Sequence, residues 1–194
     1  MSSPAHSPSA VARPPGLLQR AARLLRHRWA DGILGRALPP QMLERLAARV
    51  AASERRHTGQ IRICIEGGLP RSYLCRGASP RERAITQFGK LRVWDTEHNN
   101  GVLIYLLLAE RAIEIVADRG LARAVPEESW RAMAAHMGEA FRAGRYEDGL
   151  TQALSEVSAL LVAHFPAPQD EPAGSRPNEL PDAPVLARGW AQRG

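Results

Sequence analysis

The stretch VLIYLLLAERAIEIVA, residues 102–117, decides the fold of this chain. Its first part, 102–108, is continuously apolar, which is typical of a strand buried on both faces in the middle of a sheet. Residues 109–111 leave room only for a tight connection before the second apolar run, 112–117. Strands joined this closely pair antiparallel, so the stretch predicts a β-hairpin at the centre of a two-sided sheet.

Helical and strand patterns surround this hairpin on both sides. Before it, an apolar stripe over 42–51 predicts a helix. The alternating segment QIRICIE (60–66) predicts a strand. The capping-box spacing of 79–82 predicts the start of another helix. After it, apolar residues at helical spacing predict two helices, within 126–144 and 150–165. The order helix–strand–helix–strand–strand–helix–helix predicts an α/β sandwich around a small mixed sheet.

The N-terminal residues, 1–36, form a basic arm that we expect to be disordered apart from one short amphipathic helix over 17–30. Gly32, Gly35 and Pro39–Pro40 are expected to end that helix. A helix with leucines on one side and arginines on the other either docks on the domain or a partner, which we favour, or lies on an anionic membrane surface.

The net charge of +6 at pH 7 is concentrated in this arm. The arm holds six Arg and one Asp, a net charge of +5, whereas residues 37–166 carry +2 and residues 167–194 carry −1. A surplus of only +2 gives the central domain no obvious basic footprint, so nucleic acid is not an expected partner. The Pro-rich tail, 167–194, is expected to be mostly flexible, with docking of 180–186 on a sheet edge as the alternative.

The sequence shows neither a transmembrane segment nor a signal peptide. The longest apolar run, 102–109, is far shorter than the ~20 residues that a membrane-spanning helix needs, and no hydrophobic stretch precedes a cleavage site at the N-terminus. We therefore expect a cytoplasmic protein, or one held peripherally at the inner face of the membrane by its arm. Two cysteines, Cys64 and Cys75, exclude a disulfide framework.

Four short motifs lie in order along residues 38–165: HTGQI (57–61), NNGVLI (99–104), VADRGL (116–121) and FRAGRYEDGL (141–150). Together they resemble the TPM domain family, formerly a domain of unknown function. The resemblance assigns residues 37–166 to one TPM-like domain.

The resemblance implies a three-layer α/β/α sandwich of Rossmann-like shape. Members of the family include proteins linked to photosystem repair in plants, modulators of membrane receptors in animals and membrane-associated bacterial proteins. Phosphatase activity and calcium binding have been attributed to parts of the family. Most bacterial members carry a signal peptide and a membrane anchor, and neither is visible in this sequence.

Hairpin geometry predicts one candidate site. The start of the first hairpin strand and the end of the second lie at the same edge, so the loop before residue 101 should meet Asp118 and Arg119. Oxygen-bearing side chains gather there as expected ligands of a hard cation: Asp95, Glu97, Asn99, Asn100 and Asp118. The spacing departs from an EF-hand, and Asn, Asp and Gly are also ordinary turn formers. Arg119 would contact a phosphate or other ligand.

Two functional hypotheses follow. The first is a non-catalytic accessory or interaction domain that binds an unidentified protein partner and a divalent cation, with calcium as the possible cofactor. The second is a metal-dependent phosphatase that hydrolyses phosphomonoesters at the acidic loop, where bound metal would activate water. The sequence offers no convincing nucleophile for this reaction, so the first hypothesis is favoured and catalytic residues are not assigned.

Overall fold

The structure is a computed structural model that describes residues 16–168, 170 and 176–189. The predicted disorder of residues 1–15 lies outside this part of the chain. The elements are α1 (Leu17–Ala37), α2 (Pro40–Glu54), β1 (Gln60–Glu66), α3 (Arg71–Cys75), α4 (Pro80–Lys90), β2 (Gly101–Leu107), a 3-10 turn (Leu108–Glu110), β3 (Ala112–Ala117), α5 (Arg119–Ala124), α6 (Glu127–Arg142), α7 (Tyr146–His164) and β4 (Val185–Ala187).

The four described strands form one mixed sheet in the order β3-β2-β1-β4. β2 pairs antiparallel with β3, with Leu103 opposite Val116, and parallel with β1, with Ile61 opposite Val102. The turn between β2 and β3 closes on Arg111, whose φ of 50° lies in the left-handed region. The predicted antiparallel hairpin and mixed sheet are therefore confirmed.

Both faces of the sheet are covered, as the apolar run predicted. Every residue of β2 is buried. Ile104 and Leu106 face a core built with α1, α2, α6 and α7, whereas Leu103 and Tyr105 face a second core built with α3 and α4. Since successive side chains of a strand point to opposite faces, one strand serves both helical layers. The predicted α/β/α sandwich is confirmed.

A buried ion pair lies between the sheet and α4. The helix begins as predicted, with the Ser79 hydroxyl accepting a hydrogen bond from the Glu82 N–H at 3.2 Å. One turn later Arg83 donates to the Glu66 carboxylate at 2.9 and 2.7 Å, and the Tyr105 hydroxyl donates to the same carboxylate at 2.7 Å. Burial and the Glu66 charge raise the pKa of Tyr105 above its ordinary value. The group is a structural network, because all three side chains lie inside the fold.

Helix α1 is longer than the sequence predicted. It runs through Gly32 and Gly35 to Ala37, because Leu34 and the following Leu38 are buried in the core and offset the cost of helical glycine. A Cβ on Gly68 would lie 2.4 Å from the backbone oxygen of His27. Only glycine at residue 68 therefore lets α1 approach the end of β1 this closely.

The tail contributes to the sheet. Val185–Ala187 forms β4 and pairs parallel with Cys64–Glu66 of β1. Leu180 is 6% exposed and packs in the core on the α4 side of the sheet. The structure therefore has the docked arrangement of 180–186 that the sequence analysis held as the alternative.

Candidate functional site

The predicted site lies at the edge of the sheet where β1 and β2 begin and β3 ends. Two backbone hydrogen bonds join the segments: the N–H of Asp118 donates to the carbonyl of Gly101 at 2.8 Å, and that of Gly120 donates to the carbonyl of Asn99 at 2.9 Å. A Cβ on Gly120 would stand 2.5 Å from the Asn99 oxygen, so this contact requires glycine. The structure thus brings Asn99, Asn100 and Asp118 together.

Asp118 and Asn100 are the buried members of the predicted set, at 5% and 1% exposure. Asp118 is the N-cap of α5, where its Oδ1 accepts from the N–H of Arg119 at 2.6 Å. Its Oδ2 is buried and has no hydrogen-bond partner among the described residues. The Asn100 amide nitrogen donates to the Thr58 hydroxyl at 3.2 Å, which fixes the orientation of that amide.

The other predicted residues are exposed. The Asp95 carboxylate accepts from Arg92 at 2.6 Å, and the N–H of Glu97 donates to the carboxylate of Glu179 at 3.1 Å. Arg119 begins α5 with its side chain in solvent. Within the described part of the chain, no three or more Asp, Glu, His or Cys side chains are grouped so that they could hold a metal ion.

Carboxylate and amide oxygens of this kind are the ligands that a hard cation prefers. An unpaired buried carboxylate oxygen suits such an ion, because the charge of the ion would offset the cost of burying the oxygen. Asp95 can bind such an ion only after its carboxylate leaves the ion pair with Arg92. Asp118 and Asn100 therefore form the fixed part of the candidate site, and cation binding stays a prediction.

A cleft of about 300 Å³ adjoins this edge and was not predicted from the sequence. The end of α2, the loop before β2 and the C-terminal segment 176–182 line it. The hydrogen bonds that hold the segment in place include one from Arg176 to the carbonyl of His57 at 2.9 Å and one from the N–H of Leu180 to the Gln60 side chain at 3.0 Å. The signal in the sequence was the presence of a few large apolar residues, Leu180 and Leu186 among them, within a polar tail.

Glu54 is an acid of the cleft whose pKa departs far from its ordinary value. Burial raises its pKa to about 8, and the neighbouring carboxylate of Asp182 adds to the increase. The N–H of Ile61 donates to Glu54 at 2.7 Å and acts in the opposite direction. At neutral pH the Glu54 carboxyl group is therefore largely protonated, which lets it lie beside Asp182.

A buried serine–histidine pair lies behind the cleft. His57 Nε2 and the Ser53 hydroxyl lie 2.9 Å apart, and the hydroxyl oxygens of Ser53 and Ser158 of α7 lie 2.7 Å apart. The other ring nitrogen lies 3.0 Å from the Gly59 carbonyl. Burial lowers the pKa of His57 to about 4. The neutral imidazole thus ties α2 to the start of β1, and Ser53 is engaged within the fold.

Comparison with known proteins gives a matching family model and similar solved structures, two of which are described here. The model described as TPM domain matches residues 35–160. The NMR structure of the BA42 protein from the psychrophilic bacterium Bizionia argentinensis has a TM-score of 0.65 and 22% identity, covering 77% of this chain and 95% of that one.

The NMR structure of the N-terminal domain of a protein from P. gingivalis has a TM-score of 0.53 and 20% identity, with 66% and 80% of the two chains covered. At these identities the two structures show a shared fold. No curated protein matches the chain.

Proposed function

This chain belongs to the TPM domain family, and from that premise we propose that it is a non-catalytic accessory domain that binds another protein and a divalent cation. The cation site is placed at the sheet edge, on Asp118 and Asn100. The observation that carries the proposal is the buried Oδ2 of Asp118, which lacks a hydrogen-bond partner within the part of the chain that the structure describes.

A buried carboxylate oxygen without a partner is costly, and native proteins rarely keep one. A cation at Asp118 would provide the missing interaction. The Asn100 side chain also carries an oxygen and is buried at the same edge of the sheet, with its orientation set by Thr58. Exposed Asp95, Glu97 and Asn99 lie in the loop that leads to this edge, where they can complete the ligand sphere by a movement of surface side chains.

Calcium is favoured over magnesium. Calcium accepts six to eight oxygen ligands in flexible geometry, whereas magnesium demands near-octahedral geometry at shorter distances. Two fixed buried groups and a set of exposed loop oxygens meet the first requirement better than the second.

An accessory role is favoured because the polar groups near the edge are engaged in holding the fold. Ser53 and His57 bond to each other, to α7 and to the Gly59 backbone. Trp94, by contrast, is 47% exposed directly before the loop, and exposed tryptophans are enriched at protein-binding surfaces. A partner contacting Trp94 would lie beside the cation.

The test is thermal unfolding of the full chain with increasing calcium. Calcium at one hundred times its dissociation constant should stabilise the protein by about 2.7 kcal/mol. Asp118→Asn should abolish that response, whereas Asp148→Asn, at an exposed acid of α7, should respond as the wild type does. An unchanged wild-type melting curve, or an equal response of Asp118→Asn, would overturn the cation site.

The phosphatase alternative is tested in the same preparations. Hydrolysis of p-nitrophenyl phosphate that requires calcium or magnesium and disappears in Asp118→Asn would replace the accessory role with catalysis. Cation binding without hydrolysis would support the accessory role.

A further inference from the structure

Helix α1 contacts the domain through its polar side. The Asp31 carboxylate accepts from the N–H of Gly68 at 3.2 Å. The two ring nitrogens of His27 lie 3.0 Å from the N–H of Leu69 and 3.0 Å from the carboxylate of Glu110. His27 and Asp31 are buried, together with Ala30 and Leu34. These contacts fix the rotation of the helix about its own axis.

The opposite side of α1 is apolar and faces solvent. Leu18 is 87% exposed, Leu25 68% and Trp29 67%. Residues separated by seven and four positions lie on one side of an α-helix, so these three side chains form a continuous stripe. We call Leu18, Leu25 and Trp29 the α1 stripe. Large apolar side chains grouped in this way on a surface mark an interaction site.

Arginines border the α1 stripe. Arg26 and Arg28 are exposed and lie on its two sides, and Arg36 is exposed at the end of the helix. The one acid of α1 is Asp31, which is buried against the domain. The outward side of the helix is therefore apolar along its centre and purely cationic at its borders.

We propose that α1 binds the surface of an anionic phospholipid membrane. The stripe would lie among the first carbons of the acyl chains, with the flanking guanidinium groups at the phosphates, which is the arrangement of interfacial amphipathic helices. Among the described residues no helix combines the length and apolar character needed to cross a bilayer, so α1 lies along the surface.

Charge favours lipid over the other occupants. A second copy of the chain would bring two arginine-bordered faces together, and like charges repel. Nucleic acid would satisfy the arginines but leave Leu25 and Trp29 without an apolar environment. An anionic bilayer satisfies both features, and it requires no movement of α1 because the stripe already points away from the domain.

Co-sedimentation of the full chain with phosphatidylcholine vesicles, with and without phosphatidylserine, tests the proposal. Binding should require phosphatidylserine and fall as salt increases. Arg26→Gln with Arg28→Gln should weaken partitioning about five-fold for each charge removed. Leu25→Glu should weaken it by at least about tenfold, through the loss of apolar insertion. Ile85→Glu is the matched control, since Ile85 is 53% exposed on α4.

All variants alter exposed residues, so their melting temperatures should match that of the wild type. Loss of binding in Leu25→Glu and in the double variant, with retention in Ile85→Glu, supports the proposal. Wild-type binding by Leu25→Glu, or equal binding to vesicles of phosphatidylcholine alone, overturns it. The proposal is also overturned if the wild type is a dimer that does not bind vesicles and Leu25→Glu is a monomer. That outcome would identify the α1 stripe as a contact between subunits.

Discussion

Replacing Glu54 by glutamine should remove a defined part of the pH dependence of stability. Burial and the neighbouring Asp182 raise the pKa of Glu54 in the folded protein from 4.5 to about 8. Glutamine keeps the side-chain oxygen that accepts from the N–H of Ile61. It also resembles the protonated acid, so the variant reproduces the favoured protonation state at every pH.

The sign and size follow from proton linkage. An acid whose pKa is raised by folding stabilises the native state fully below pH 4.5, and this contribution is lost as the pH rises towards 8. His57 acts in the opposite sense, because its lowered pKa costs stability as the pH falls from 6.5 towards 4. Between pH 6.5 and 8, above the range in which His57 acts, Glu54 should lower the free energy of unfolding by about 1.5 kcal/mol.

Urea unfolding followed by circular dichroism at pH 6.5 and pH 8 measures this difference. The free energy of unfolding of the wild type should fall by about 1.5 kcal/mol relative to that of Glu54→Gln between the two pH values. Glu44→Gln, at an exposed position in the same helix, should keep the wild-type fall. Parallel curves for the wild type and Glu54→Gln would refute a protonated Glu54 in the native protein.

Three further outcomes are expected. Glu66→Gln should destabilise the protein by about 3–5 kcal/mol in equilibrium unfolding, because it leaves the Arg83 charge buried without its carboxylate; a loss within 1 kcal/mol would contradict the buried ion pair. Leu180→Ala should cost about 2–3 kcal/mol and increase amide exchange in Val185–Ala187, whereas a neutral effect would mean that the tail does not dock in solution. Cys75 should react rapidly with Ellman's reagent in the native state and Cys64 only after unfolding, since Cys64 is buried and its pKa is raised to about 12.

Local sequence patterns determined the sheet and its layers. The apolar side chains of 102–108 are removed from water only if both faces of their strand are covered. A three-residue connection to a second strand is long enough only for an antiparallel pair. Ser79 and Pro80 fixed the start of α4 in the same way. The first N–H groups of a helix have no partner within the helix, and the Ser79 side chain, one turn earlier, accepts the hydrogen bond of the Glu82 N–H. Each of these signals lies within a few residues of the structure that it predicts.

Tertiary structure alone decided the surroundings of the candidate site. Leu180 bonds to Gln60, and Arg176 to the His57 carbonyl, across about 120 positions of sequence, so no local pattern could place the tail in the cleft or reveal the raised pKa of Glu54. Likewise the periodicity of α1 showed that it has two unlike sides but not which one docks. The polar side docks because His27 and Asp31 find buried hydrogen-bond partners at Gly68, Leu69 and Glu110, and partners for buried polar groups exist only once the fold has assembled them.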